Sequence, residues 1–423
     1  MEIVFLSQPF YSGMTKKQKE NGMLRVEMLS TGDEVLHGQI VDTNSAWLAN
    51  YLFEQGLPMT SRETVGDSLD ALVAVLEERS HIADVLIVNG GLGPTTDDLS
   101  ALAAAKACGV ELVEDAGWIK TMQAFFNERG RPMAESNRKQ AQIPANAELL
   151  DNPVGTACGF SVKLNRCQIF FTPGVPSEFK VMVEQQIVPR LHKQFPALEA
   201  PLCLRLTTFG RGESDLATEL DKLELPEGVV MGYRSSSPII ELKVTGPRSQ
   251  EAAMHKAFER VREVAGESTI FEGLGSLPER LAERLLAQDL CLAVSESFTG
   301  GLLNWRLQSA GVPLVNGELL PQGDEASPEK SLECLLARAQ SLAESTGAQL
   351  ALAVGALSGD QLSLALHTPS GTSGLTIRYT ATRHGLALRQ ETMAMVAMDL
   401  LRRYLNGWEP VADYPWLDRV AKV

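Results

Sequence analysis

Residues 89–98, Asn-Gly-Gly-Leu-Gly-Pro-Thr-Thr-Asp-Asp, hold the residue types best suited to chemistry. Glycines such as Gly90, Gly91 and Gly93 let backbone amides approach an anion, and a helix start adds favourable partial charge. Thr95 and Thr96 supply hydroxyls. Asp97 and Asp98 supply oxygen ligands for a hard divalent cation bridging phosphates. The plainer reading is that Asp98 or Thr96 caps a helix, but a cap needs only one such residue. The full set therefore reads as a phosphate site. Two further segments share its character. Thr31-Gly32-Asp33-Glu34 runs on to Asp42-Thr43-Asn44, and Thr172-Pro173-Gly174 runs on to Ser177. Either one alone is ordinary turn chemistry.

These segments are placed by what precedes them. Alternating or wholly apolar runs predict strands over 24–30, 59–65, 84–89 and 168–171. Periodicity near 3.6 predicts helices over 44–55, 69–79, 99–108, 118–129 and 177–195. Strand-helix alternation of this kind yields an α/β sheet covered by helices on both faces. Ligands of such sheets bind beyond the carboxyl ends of the strands, where all three polar segments fall.

Residues 196–201 (PALEAP) read as a linker. Beyond it, strands at 202–209 and 238–245 and helices at 213–223 and 250–265 make a small α+β module. The remainder opens with a helix at 278–288 and a strand at 291–294. It continues with strands at 349–354, 361–367 and 374–379 and a helix at 389–404. The boundaries that follow are an extension over 1–22, read as disordered, and domains at 23–195, 200–272 and 275–408, with a tail over 409–423. At ~150 residues per domain, 423 residues also give about three.

Composition narrows the function classes. Fifty-three acidic against 38 basic residues leave a formal net charge of -15, which repels nucleic-acid backbones and argues against a general nucleic-acid binder. The six cysteines form no close pairs, so neither a zinc site nor a disulfide framework is expected. Scattered thiols and the lack of a membrane-spanning run point to a cytoplasmic protein.

The segments TGDEVLHGQIVDTNSAWLA, NGGLGPTTDD and FTPGVPSEF resemble the N-terminal domain of the CinA (competence/damage-inducible) family. That domain is related to the molybdopterin-binding domains of molybdenum-cofactor proteins. The resemblance runs from residue 23 nearly to the end. It implies a molybdopterin-binding-like α/β/α domain, a KH-like middle domain and a CinA-type α/β C-terminal domain. It also implies a homodimer and metal-dependent cleavage of ADP-ribose to AMP and ribose 5-phosphate. Under it, Gly90, Gly91, Gly93 and Thr95 cradle the diphosphate, with Asn44, Gly174 and Ser177 as further substrate contacts. Asp97 and Asp98 hold the divalent ion, Asp98 is also catalytic, and Asp33 or Glu34 holds metal or water. Two alternatives stand beside it: a non-catalytic nucleotide- or pterin-binding protein, and a transferase of the molybdenum-cofactor pathway. The transferases typically carry a G-G-T-G loop, which differs from the loop here.

A second motif, Ser295-Glu296-Ser297-Phe298-Thr299-Gly300-Gly301, resembles the A-E-S-C-T-G-G turn of the family's nicotinamide mononucleotide deamidase domain. Ser297 matches the nucleophile, and Thr299, Gly300 and Gly301 match the turn. The family's Y-S-N-E-A-K segment is replaced by residues 317–325, without tyrosine and with no lysine before Lys330. A serine without an activating base is a poor nucleophile, so the domain reads as a degenerate deamidase and Ser297 as a helix N-cap. The middle module lacks a GxxG clamp and a basic track, so it reads as a spacer and not an RNA binder.

Overall fold

A computed structural model describes residues 24–196, 199–321, 331–379, 384–414 and 417–423. The chain divides into two compact units, Met1–Leu202 and Cys203–Val423. Each is an α/β structure.

The first unit is built on a six-stranded sheet. Its strands are β1 (Val26–Thr31), β2 (Met59–Val65), β3 (Val85–Asn89), β6 (Glu148–Leu150), β7 (Gly159–Leu164) and β8 (Cys167–Thr172), in the order β2-β1-β3-β8-β7-β6. Two short strands, β4 (Leu112–Glu114) and β5 (Gln142–Pro144), pair separately. The four strands β2, β1, β3 and β8 run parallel. The central ones are buried on both faces, as their near-continuous apolar runs require. Alternation sorts their side chains. Val26, Met28, Val85, Ile87 and Phe170 face one core, whereas Leu29, Leu86, Val88 and Phe171 face the other. Each fully buried Leu or Phe contributes roughly 1.5–3 kcal/mol.

A single turn, α1 (Asp33–Leu36), follows β1. Helices α2 (Thr43–Glu54), α6 (Pro176–Met182) and α7 (Val188–Gln194) cover the first face. Helices α3 (Leu69–Ile82), α4 (Ser100–Cys108) and α5 (Ala116–Glu128) cover the second. The helix expected over 177–195 is interrupted by a wider π-type turn at Val183–Ile187. Pro189 just beyond it has no N–H to donate, so the ladder cannot continue regularly through this point.

The second unit holds two sheets. Strands β9 (Leu202–Phe209), β10 (Val230–Ser236), β11 (Ile239–Gly246) and β12 (Thr269–Glu272) form one, in the order β10-β11-β9-β12. Helices α8 (Glu213–Leu220) and α9 (Glu251–Ala265) accompany them. The other sheet has strands β13 (Leu292–Glu296), β14 (Leu314–Leu319), β15 (Leu350–Val354), β16 (Gln361–Thr368), β17 (Gly371–Arg378) and β18 (Asp418–Lys422), in the order β14-β13-β15-β16-β17-β18. The stretch expected to be a tail thus supplies the edge strand β18, paired with β17.

Helices α10 (Leu277–Ala287), α11 (Leu302–Ser309) and α13 (Leu386–Leu405) pack on the large-residue face of that sheet, against Leu350, Leu352 and Val354. Helix α12 (Leu332–Thr346) lies on the alanine face, against Ala293, Ala351, Ala353 and Ala365. Among the described residues no helix is long and apolar enough to cross a membrane.

Candidate functional site

Parallel register sets Ser30 of β1, Asn89 of β3 and Thr172 of β8 in one row at the carboxyl ends of their strands. Ser30 Oγ donates to Asp42 Oδ2 at 2.6 Å, while Asp42 Oδ1 caps α2 by accepting from Ser45 N at 2.8 Å. This fixes Asn44 in the first turn of α2. Its Nδ2 donates to Asn89 Oδ1 at 2.9 Å and to the Gly174 carbonyl at 2.8 Å. Asn89 Nδ2 in turn donates to the Pro173 carbonyl at 2.7 Å. Two side-chain amides therefore tie together the loops that follow β1, β3 and β8, as the three segments together predict. Asn44 is only 6% exposed, and its Oδ1 has no hydrogen-bond partner among the described residues. A buried acceptor left without a donor costs about 1–3 kcal/mol, so this oxygen is a natural contact for a ligand or water.

The glycine loop is shaped by close approaches. Gly90 has φ +112°, and a Cβ there would stand 2.6 Å from Thr31 Oγ1 and 2.8 Å from the Thr31 carbonyl oxygen. Its amide donates to the Thr172 carbonyl at 2.9 Å. Ser100 then closes the loop, its Oγ donating to the Gly90 carbonyl at 2.8 Å and its amide to that of Gly91 at 3.1 Å. Neither Asp98 nor Thr96 caps α4, whose N-cap position is Leu99 without a side-chain bond. Asp98 Oδ2 instead accepts from Thr95 N at 2.8 Å and from Thr95 Oγ1 at 2.5 Å. It lies across Gly93, where a Cβ would come within 2.5 Å of the same oxygen. Lys139, from the 3-10 turn Glu135–Ala141, donates Nζ to the Thr95 carbonyl.

The acidic residues gather on the β2 side. Asp33 and Asp67 exchange bonds, the amide of each donating to the other's carboxylate at 3.1 and 3.2 Å. Burial pushes the Asp67 carboxyl above its ordinary range, the Asp33 amide opposes this, and repulsion from Asp33, Glu34 and Asp97 adds to the rise. Asp97, from the glycine loop, is thus within electrostatic reach of the loops after β1 and β2. Its own carboxyl is held below the usual range by the nearby Thr95 hydroxyl first and then by its own backbone amide, with Lys139 helping. The Glu34 carboxylate folds back over Gly32. Ser177 is exposed at the start of α6, on the same edge.

Among the described residues no three His, Cys, Asp or Glu side chains stand together in a metal-holding group. The donors present are hard oxygens that repel one another. They suit an ion such as Mg²⁺, which commonly takes one or two carboxylates and completes its shell with water and substrate phosphates.

The sequence reading omitted several residues of this edge. Asp67 and Lys139 are described above, and Asn89, though inside the glycine motif, had no role assigned to it. Glu178 accepts from Asn152 Nδ2 at 2.7 Å and packs against Gly155, holding the loop between β6 and β7 at the same edge. An apolar rim, Leu36, Ile40, Val41, Val154 and Val175, stands exposed around these loops. In the sequence, the only trace of this rim is large apolar residues set among the glycine and polar positions of the loops, such as Ile40 and Val41 between Gly38 and Asp42.

At the second motif the structure corrects the expected cap. Helix α11 begins with Gly301 at its N-cap, and Ser297 does not cap it. The fully buried Glu296 takes that role, accepting from Leu303 N at 3.1 Å, Asn304 N at 2.9 Å and Asn304 Nδ2 at 2.6 Å, and also from Thr299 Oγ1. Ser297 Oγ donates to the Pro321 carbonyl at 2.8 Å, an acceptor that cannot take its proton. Glu318, in the segment replacing the family's tyrosine and lysine, is on β14 and pairs with Arg338. Residues 322–330, Lys330 included, lie outside the described residues. Beside the turn is a cavity of about 470 Å³ lined by Thr299, Gly300, Gly301, Trp305, Gln390 and Glu391, among others.

Residues 27–193 match the family described as a probable molybdopterin binding domain. A CinA-like protein of Escherichia coli O9:H4 (strain HS) is 57% identical over 398 residues, covering 94% of this chain and 98% of its own. The NMN amidohydrolase-like protein YfaY of Escherichia coli (strain K12) matches to the same extent, 57% over 94% of this chain and 98% of its own. The solved structure of CinA from Thermoplasma acidophilum is 27% identical, with a TM-score of 0.36 and coverage of 40% of this chain and 96% of that one. With 57% identity to a CinA-like protein sustained over 94% of its length, this chain belongs to the CinA-like family.

Proposed function

We propose that the first unit hydrolyses the pyrophosphate of ADP-ribose or a similar dinucleotide, with a divalent ion as cofactor. The observation that carries this reading is the convergence of three loops through Asn44, Asn89 and Gly174. It opens a glycine-lined turn to an anion and sets carboxylates beside it. A water oxygen attacks one phosphorus, the bridging P–O bond breaks, and AMP and ribose 5-phosphate leave. Asp33 or Glu34 orients the water and takes its proton. Gly90, Gly91, Gly93 and Thr95 receive the diphosphate, and Asn44 Oδ1 accepts from a substrate hydroxyl. Asp97 and Asp98 would hold the divalent ion, which when bound supplies charge neutralisation for the phosphates.

The deciding experiment is incubation of the full chain with ADP-ribose and Mg²⁺ or Mn²⁺, followed by chromatography for AMP. Binding without AMP in every metal tried would favour a non-catalytic nucleotide-binding protein. Asp98→Asn is expected to lower turnover at least ~100-fold while leaving the unfolding temperature nearly unchanged. Asparagine keeps an oxygen for the Thr95 amide, so the loop retains its shape while the charge is lost. Wild-type turnover in that variant would remove Asp98 from the mechanism.

We further propose that the deamidase activity suggested by the second motif is lost. The segment standing where the family carries its tyrosine and lysine supports this reading, because residues 317–321 hold neither and their Glu318 is paired with Arg338. Release of ammonia from nicotinamide mononucleotide by the purified chain would overturn it.

A further inference from the structure

We propose that Lys139 is the cationic arm of the anion cradle, gripping a phosphate oxygen of the ligand beside the loop of residues 90–98. The inference rests on the diphosphate reading above and adds a residue that neither the motifs nor the family match assigns. Lys139 reaches the loop from the turn Glu135–Ala141, and its ammonium donates to the Thr95 carbonyl. That bond anchors the charge at the loop and uses one of three donor positions. Among the described residues Lys139 makes no ion pair. Its neighbour Arg138 is matched to Glu114 and Glu135.

Lys139 is half-buried, and no described carboxylate pairs with it, so its charge stays available at the loop. Asp97 feels its charge from a distance, and Asp98 is occupied with Thr95. Two N–H donors and a full positive charge thus remain beside glycines whose backbone can approach an anion. Lysine serves phosphate as a point charge, so it tolerates small differences in where the oxygens fall. The ligand class is a phosphate or diphosphate ester, with inorganic pyrophosphate as its minimal form.

The test titrates the full chain calorimetrically with inorganic pyrophosphate, AMP and adenosine, using wild type, Lys139→Met, Lys139→Gln and Lys139→Arg. Loss of one charge-assisted contact predicts that Lys139→Met weakens pyrophosphate and AMP roughly ten- to hundredfold, with adenosine unmoved. Lys139→Gln keeps a donor for Thr95 but no charge, and should match Met. Lys139→Arg should recover most of the affinity. A purely structural tether predicts instead that Gln rescues, or that adenosine falls in step with AMP, and either result overturns the proposal. So does pyrophosphate binding by Lys139→Met or Lys139→Gln within about threefold of wild type. Absence of pyrophosphate binding by the wild type overturns it as well.

AMP formation from ADP-ribose is measured separately. Charge-dependent pyrophosphate binding without AMP keeps the role of Lys139 and defeats the hydrolase reading. Undiminished AMP formation by Lys139→Met does the reverse.

Discussion

Gly90→Ala is expected to lower AMP formation from ADP-ribose by at least ~100-fold, because small misplacements of catalytic groups cost about that much. The residue sits at φ +112°, a conformation that L side chains rarely adopt, and a methyl group there meets the Thr31 backbone at 2.8 Å. Backbone yields less readily than a side-chain tip, so the loop must move. Strain of this kind costs on the order of 1–3 kcal/mol, and the unfolding temperature should fall modestly. Gly212→Ala is the control away from the site. A Cβ there meets nothing within 4 Å, and its φ of -83° suits any residue. That variant should retain most of its activity. Equal activity of Gly90→Ala and wild type in a timed chromatographic assay would place the reaction elsewhere in the molecule.

The second large effect concerns stability. Asp399 of α13 is 2% exposed, binding Arg402 Nε at 2.7 Å and accepting the Tyr414 hydroxyl at 2.8 Å. Arg402 continues to the carbonyls of Thr269 and Glu267, at 2.7 and 2.8 Å, so the network joins α13 to the start of β12. Burial and the neighbouring carboxylate push the Tyr414 phenol well above its ordinary range, which keeps it a donor throughout the working pH range. Asp399→Leu leaves a buried guanidinium without its counter-charge, which typically costs about 3–5 kcal/mol. The expected result is a lower urea midpoint for the second unit, followed by hydrogen exchange in α13. Asp399→Asn keeps acceptor and size and should lose less. ADP-ribose turnover is expected to survive in both. An unchanged midpoint for Asp399→Leu would show that the pair is neutral in place.

Local patterns announced the scaffold of the site. The apolar run at 85–88 followed by paired glycines marked a buried strand entering a ligand-facing turn. Parallel strands 26–31, 85–89 and 167–172 then had to present their loops on one edge. Residues brought in from far along the chain carried no such announcement. Lys139 meets a carbonyl 44 positions away, and nothing in its own neighbourhood encodes that meeting.

Asp98 and Ser297 show another limit. Both are residue types that cap helices, yet Asp98 closes a turn on Thr95, and Glu296, one position before Ser297, takes the cap. A residue type states what bonds a side chain can make, while the neighbouring backbone decides which are made. The helix Leu332–Thr346 is a different case, since Leu335, Ala339, Leu342 and Ala343 recur at helical spacing and form the stripe that covers the alanine face of the sheet.

The Asn44 amide spans 130 positions to reach Gly174. A nascent chain that has emerged only as far as Asp98 owns two of the three loops and cannot join them to the third. Such distant closures come late and slowly in folding. Ligand affinity should therefore appear abruptly during synthesis, once β8 has left the ribosome and docked beside β3.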